Sequence, residues 1–388
     1  MTEYTPIFNR TYLKILPWFL AIAILLLTLN NQPDTVKQPE PLEIPQTYLY
    51  HDKAISNDQI LLVYPFPAAF GETQQVQRRG VRLALDQSIE TIPDITINAY
   101  ADHLIITLPL SSINQIPATL DNLRLQQNTH LAAMIQQASA ERYLASSSIE
   151  EQALINFKLQ IATQLPMFDY SRALASPQMI LFTLNRSSNT TLQSLQALSE
   201  KILDNHPLSS QPSTPALPDT LIELKHRSPL HQLLIGQLET ERDKRLPKEL
   251  AWHYLGQQLL TLTEGKSTQF RLLSEHSYPV GFSALLIRQP DSFSEPLFPN
   301  LRQYLKQSIA SSPPAPLKAL MVKEYEQRLS NAAQLPYLLA NNLFYREETL
   351  SADQYHDKLS AITDADIISE IESLLSPQAS VIIRTTPL

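Results

Sequence analysis

The 388-residue chain has no cysteine, only 6 glycines and no run of basic residues, and each shortage removes a class of function. Without cysteine there is no disulfide, no thiolate nucleophile and no cysteine-bound zinc, and such a composition suits an oxidising compartment. Six glycines against 29 prolines leave no glycine-rich loop whose bare backbone could approach a phosphate. A formal charge of −8 gives no electrostatic footprint for a nucleic-acid backbone, so nucleic acid is not an expected partner. What is present is a globular composition, 43% hydrophobic and 18% charged, which can bury a core. The length exceeds one ordinary domain of about 100 to 150 residues, so two similar units are the simplest expectation.

Residues Ile15 to Leu29 are uncharged and apolar and follow Arg10 and Lys14. The run is short for a span of about 20 residues, but Tyr12 and Lys14 can extend it at the interface. Both an anchor and a cleaved signal fit that length. An anchor is favoured, because Leu27-Thr28-Leu29 is not the small-residue ending of a cleavage site. The charges preceding the run predict a cytoplasmic N-terminus and an exported bulk, hence a single-pass inner-membrane protein whose body is periplasmic.

Residues 31–54 carry four prolines before Thr47 and read as a Pro-rich tether, and 207–219 concentrate Pro and Ser as a linker. The expected organisation is therefore an anchor at 1–30, the tether, a first unit at 55–206, the linker and a second unit at 220–388. In the first unit, Gln59 to Tyr64 reads as a strand, Gln74 to Ile89 as a helix, Ile95 to Leu110 as a strand pair and the following sequence as helical to Leu165. Met179 to Leu184 then reads as a strand and Leu192 to Ile202 as an amphipathic helix. The second unit repeats the plan. It has a strand from Leu233, a helix at Glu249 to Leu262, an alternating strand at Pro279 to Gln289 and long helical sequence from Pro316 to Leu343. A Thr363–Asp366 capping box starts a final helix, before a closing strand at Ser380 to Ile383. Ser-Pro-Gln precedes a strand in both units, at 176–178 and 376–378, as an internal duplication would produce.

The stretch Ile362-Thr363-Asp364-Ala365-Asp366-Ile367-Ile368 through Leu375-Ser376-Pro377 resembles the ending of the insulinase-like (M16, pitrilysin) metallopeptidases. Lys266 to Ala284 resembles their "SSRLF..LRE..GLAYSVSA" segment, and Ile97-Asn98-Ala99-Tyr100 with Leu104 to Leu110 their "x-N-A-x-T" strand pair. The order of these motifs over residues 55–388 carries the resemblance. It implies an α+β fold of two repeated M16-like (LuxS/metallohydrolase-like) domains, each a sheet covered by helices, after an N-terminal transmembrane helix.

Active members of that family place H-x-x-E-H on a helix, so that two imidazoles one turn apart share a zinc ion. This chain has no such motif. Aligning Gly80 with the family's glycine puts Leu83-Ala84-Leu85-Asp86-Gln87 at the ligand positions. His226 and His231 stand five apart with Pro229 between them, and Glu275 and His276 are adjacent, so on a helix they point apart. All nine histidines read as surface residues, and no metal, cofactor or catalytic residue is expected. The family also uses an Arg and a Tyr seven positions later to hold substrate backbone. Arg271 and Tyr278 have that spacing, and a guanidinium and a phenol can both donate to a carbonyl. Matching Phe270, Leu273 and Glu275 to "F..LRE" instead puts Ser274 in the arginine's place.

The resemblance implies a non-catalytic subunit joined to a second M16 chain bearing HxxEH, acting on a peptide or unfolded protein. A cell-envelope scaffold without proteolysis is the alternative. An independent hydrolase lacks a G-x-S-x-G nucleophile turn.

Overall fold

The computed structural model describes residues 36–388 except 163–164, 166, 204–219, 240–244, 276, 278–279, 294–296 and 377–379. The expected anchor, the linker at 207–219 and Tyr278 lie outside the described residues. Among the described residues, no helix is long and apolar enough to cross a membrane.

The apolar runs form two sheets. The first contains β1 (Glu40–Pro41), β2 (Thr47–Asp52), β3 (Gln59–Pro65), β4 (Thr96–Ala99), β5 (His103–Pro109) and β6 (Met179–Asn185), in the order β1-β2-β6-β3-β5-β4. The second contains β7 (Thr220–His226), β8 (His231–Glu239), β9 (Gln269–Glu275), β10 (Gly281–Gln289) and β11 (Val381–Pro387), in the order β7-β11-β8-β10-β9. Leaving β1 aside, the orders match strand for strand. The directions match too: β2 with β6 and β7 with β11 are parallel, and the remaining pairs are antiparallel. The chain is therefore a topological duplication.

That match corrects one boundary. β2 is the counterpart of β7, so the first repeat begins at Thr47, inside the stretch expected to be a tether. Thr47 and Tyr50 are buried. The prolines misled because they bracket the short β1 and the turn into β2, where Gln46 sits at φ 61°.

The helices of the first repeat are α1 (Glu72–Ile89), α2 (Ile116–Ala145), α3 (Ile149–Ala162) and α4 (Leu192–Ile202). Those of the second are α5 (Arg245–Thr263), α6 (Leu297–Ser311), α7 (Ala315–Ser330), α8 (Leu335–Tyr345), α9 (Ala352–Ala361) and α10 (Asp364–Leu374). Two stretches expected to be helical each hold two helices. The serines after Ala145 end α2, where the Ser146 and Ser147 hydroxyls bond back to the carbonyls of Tyr143 and Leu144. The run Pro316 to Leu343 parts at Asn331, whose extended backbone caps α7, and Pro336 then sits in the first turn of α8. The capping box forms as expected: the Thr363 hydroxyl accepts from Asp366 N–H and the Asp366 carboxylate accepts from Thr363 N–H. α6 and α9 had no counterpart in the sequence reading.

Both sheets are buried on both faces. One face of the first sheet (Ile60, Leu62, Ile106, Phe182) packs on α1, α2 and α4. Its other face (Leu61, Val63, Ile105, Leu181) receives Leu335, Leu339 and Ala340 of α8, a helix of the second repeat. Reciprocally, the second sheet packs Leu233, Ile235 and Leu285 on its own helices and offers Leu234, Phe282, Leu286 and Ile383 to Ala153, Phe157 and Ile161 of α3, from the first repeat. Each repeat thus lends a helix to the other's sheet. Two-sided burial also corrects the alternation expected for β10, which is buried continuously from Gly281 to Ile287. The α3 seat is close enough to require glycine: a Cβ on Gly236 of β8 would lie 2.5 Å from the Phe157 ring.

Candidate functional site at the junction of the repeats

The resemblance assigns the metal positions to α1, whose Gly80, Val81, Ala84, Leu85 and Ser88 are buried at helical spacing. Within Leu83 to Gln87, Ala84 and Leu85 are core residues and Asp86 pairs with Arg82 at 3.0 Å. No pair of imidazoles faces a common point there. Among the described residues, no group of three or more His, Cys, Asp or Glu could hold a metal ion.

Instead, α1 contributes a buried cation. Arg78 Nη2 donates to the carbonyls of Ala101 at 2.7 Å and Tyr100 at 3.0 Å, and its guanidinium lies 4.8 Å above the Phe66 ring. Burial pulls its pKa below the usual guanidinium range, while Glu275, Tyr170 and Asp102 oppose that shift. The Tyr170 hydroxyl donates to Pro67 O at 2.8 Å, and burial raises its pKa well above the ordinary phenol range. The helix to which the resemblance assigns metal ligands here fastens the chain at Phe66 and at Tyr100 and Ala101.

From Arg78 the seam continues along α3 and β9. Lys158 pairs with Glu275 at 2.9 Å. Two turns earlier on α3, Glu150 takes Arg271 at 3.0 Å through one oxygen and Arg288 at 2.5 Å through the other. Arg271 lies on β9, the edge strand, opposite Leu286 and so on the face that receives α3. Its side chain is 56% exposed against 18% for Glu150. Glu275 ends the same strand, which corrects the helical placement considered for it. Ser274 is exposed.

A second polar cluster fixes α8, and it corrects the surface reading of one histidine. His103 is fully buried, with Nδ1 2.7 Å from Asp102 Oδ1 and Nε2 2.8 Å from Asn341 Oδ1. The Tyr345 hydroxyl donates to Asp102 at 2.9 Å, and the imidazole stacks on Tyr100 with ring centroids 4.6 Å apart. Nothing local in the sequence marks this cluster, because its two halves, Tyr100 to His103 and Asn341 with Tyr345, lie more than 230 positions apart. It resembles an Asp–His pair of a hydrolase, yet it has no solvent access for a substrate.

Two clefts open at the far end of the first sheet, of about 720 and 390 Å³, both touching Asp94, Leu108 and Pro109. Arg271 lines neither.

No protein-family model and no curated protein matches the chain. Solved structures do. A peptidase M16 inactive domain from Pseudomonas fluorescens aligns with a TM-score of 0.66 and 14% identity, over 91% of this chain and 99% of that one. A chain of Complex III2 from Candida albicans aligns at 0.60 and 13%, over 90% and 95%. Pitrilysin aligns at 0.59 and 10%, over 91% of this chain but 43% of its own length. Fold and topology together place the chain in the M16-like structural class, at the size of one half of a pitrilysin-type molecule.

Proposed function

We propose that this chain is a catalytically silent M16-like half, which joins a second M16 chain bearing HxxEH and contributes peptide-binding surface to its chamber. The observation that carries the reading is α1: within a complete two-repeat fold, its ligand positions hold core hydrocarbon and an ion-paired Asp86. Similarity to an inactive M16 domain supports it. The hydrophobic run at 15–29 would anchor the chain in the inner membrane with its body in the periplasm. Arg271 would exchange Glu150 for a peptide carbonyl, assisted by Tyr278.

The test is purification of the full chain from its native membranes, followed by mass spectrometry of what accompanies it and metal analysis. A co-purifying HxxEH protein, with about one zinc per pair and none on this chain alone, is the expected result. Chelator-resistant zinc and peptidase activity on the isolated chain would overturn the proposal. In the pair, Tyr278→Phe should remove a donor worth about 2.7 to 4 kcal/mol of transition-state stabilisation. Unchanged turnover in both Tyr278→Phe and Arg271→Ala would favour the second reading, an envelope scaffold, for which the likeness to a Complex III2 chain speaks.

A further inference from the structure

We propose that residues 36–41 are a latch that sets how firmly α8 is seated on the first sheet. The stretch makes two attachments. On one side β1 pairs with β2 through Glu40 opposite Leu49 and Pro41 opposite Tyr48. On the other, the Gln38 carboxamide reaches the loop between α8 and α9. Its Nε2 donates to Thr349 O at 2.6 Å and its Oε1 accepts from Thr349 N–H at 3.1 Å. The side chain thus satisfies a whole peptide unit, as a neighbouring strand would, while its neighbour Pro39 is buried.

Thr349 is itself only 2% exposed, so losing Gln38 leaves a buried peptide group without these partners. That loop connects directly to α8. The Thr349 hydroxyl accepts from Asn342 Nδ2 at 3.0 Å, and Glu347 N–H bonds to Asn342 O. Asn341 and Tyr345 of the same helix hold His103 and Asp102 of the first repeat. An unbroken chain of bonds therefore runs from Gln38 to the junction. The next peptide, Leu350, is held by the Tyr325 hydroxyl, which belongs to the second repeat and supplies an internal comparison.

The experiment is amide exchange on the full chain, comparing wild type with Gln38→Ala and Tyr325→Phe. Gln38→Ala should speed exchange at Thr349 by about tenfold and across α8 by about threefold or more, leaving α4 unchanged. Tyr325→Phe should loosen Leu350 without that effect on α8. Because the chain has no cysteine, spin labels at Tyr143→Cys and Leu320→Cys report the repeats cleanly, and Gln38→Ala should broaden their distance distribution. Faster exchange confined to Thr349, an unchanged Thr349, or equal loosening of α4 would each overturn the latch.

Discussion

The two exchanged helices rest on equivalent sheets in opposite ways. α3 meets the second sheet through Ala153, Phe157 and Ile161, and its charged residues stay at the margin, where Glu150 and Lys158 pair with Arg271, Arg288 and Glu275. α8 meets the first sheet through Leu335, Leu339 and Ala340, but adds a buried polar network around His103. The difference teaches where each contact gets its specificity. The α3 seat depends on shape, since Phe157 fits only above a glycine. The α8 seat depends on hydrogen bonds that must all be satisfied, because partners left alone in the interior are costly.

Breaking the shape-dependent seat should have the largest effect. Phe157→Ala should destabilise the protein by about 3 to 5 kcal/mol in a urea titration, as large aromatic truncations in cores do. A cost below about 1 kcal/mol would show that α3 is not firmly packed.

Alkaline pH should loosen the α8 seat selectively. Burial, with Asp52 adding to it, pushes the Tyr50 phenol beside α8 up to about 12, and burial raises Tyr345 and Tyr100 as well. A pKa raised on folding stabilises the protein below the unfolded value of 10 and loses that contribution as pH climbs through 10 toward 12. Limited proteolysis between pH 9 and 12 should release α8 before α3, and simultaneous release would contradict the distinction.

Next in size, Asn341→Ala should cost about 1 to 3 kcal/mol by removing the partner of His103 Nε2. Combined with Tyr345→Phe the effects should be non-additive, since both act on one network. A double-mutant cycle by chemical denaturation measures this.

The smallest effect belongs to Glu150→Gln, which frees Arg271 and Arg288. Marginal ion pairs of this kind contribute about 0 to 1 kcal/mol, and most of that should vanish in high salt. A salt-independent loss of several kcal/mol would mean that the α3 margin behaves like the buried α8 network.

Much of the fold was legible. The capping box at Thr363, the apolar face of Leu195, Leu198 and Ile202, and the strands from Gln59 and Met179 all announce themselves within a few residues. Long helical stretches were legible as helix but not as separate helices, because the breaks after Ala145 and Ser330 rest on serine, asparagine and proline chemistry, not on a change of periodicity. Of the candidate site, the missing ligands on α1 could be read directly. Arg271 could be named, but its partner Glu150 lies 121 positions away.

By itself the sequence determined many of the strands and helices, the order of the two repeats and the absence of a zinc-binding helix motif, since each depends on short spacings and side-chain chemistry along one stretch. Only the tertiary structure decided that α3 and α8 change places, that His103 is buried and that Thr47–Asp52, inside the supposed tether, is a strand of the first sheet. Those outcomes follow from which surfaces meet once both sheets demand cover on both faces. A buried donor is satisfied by whatever residue arrives there, however distant in the chain.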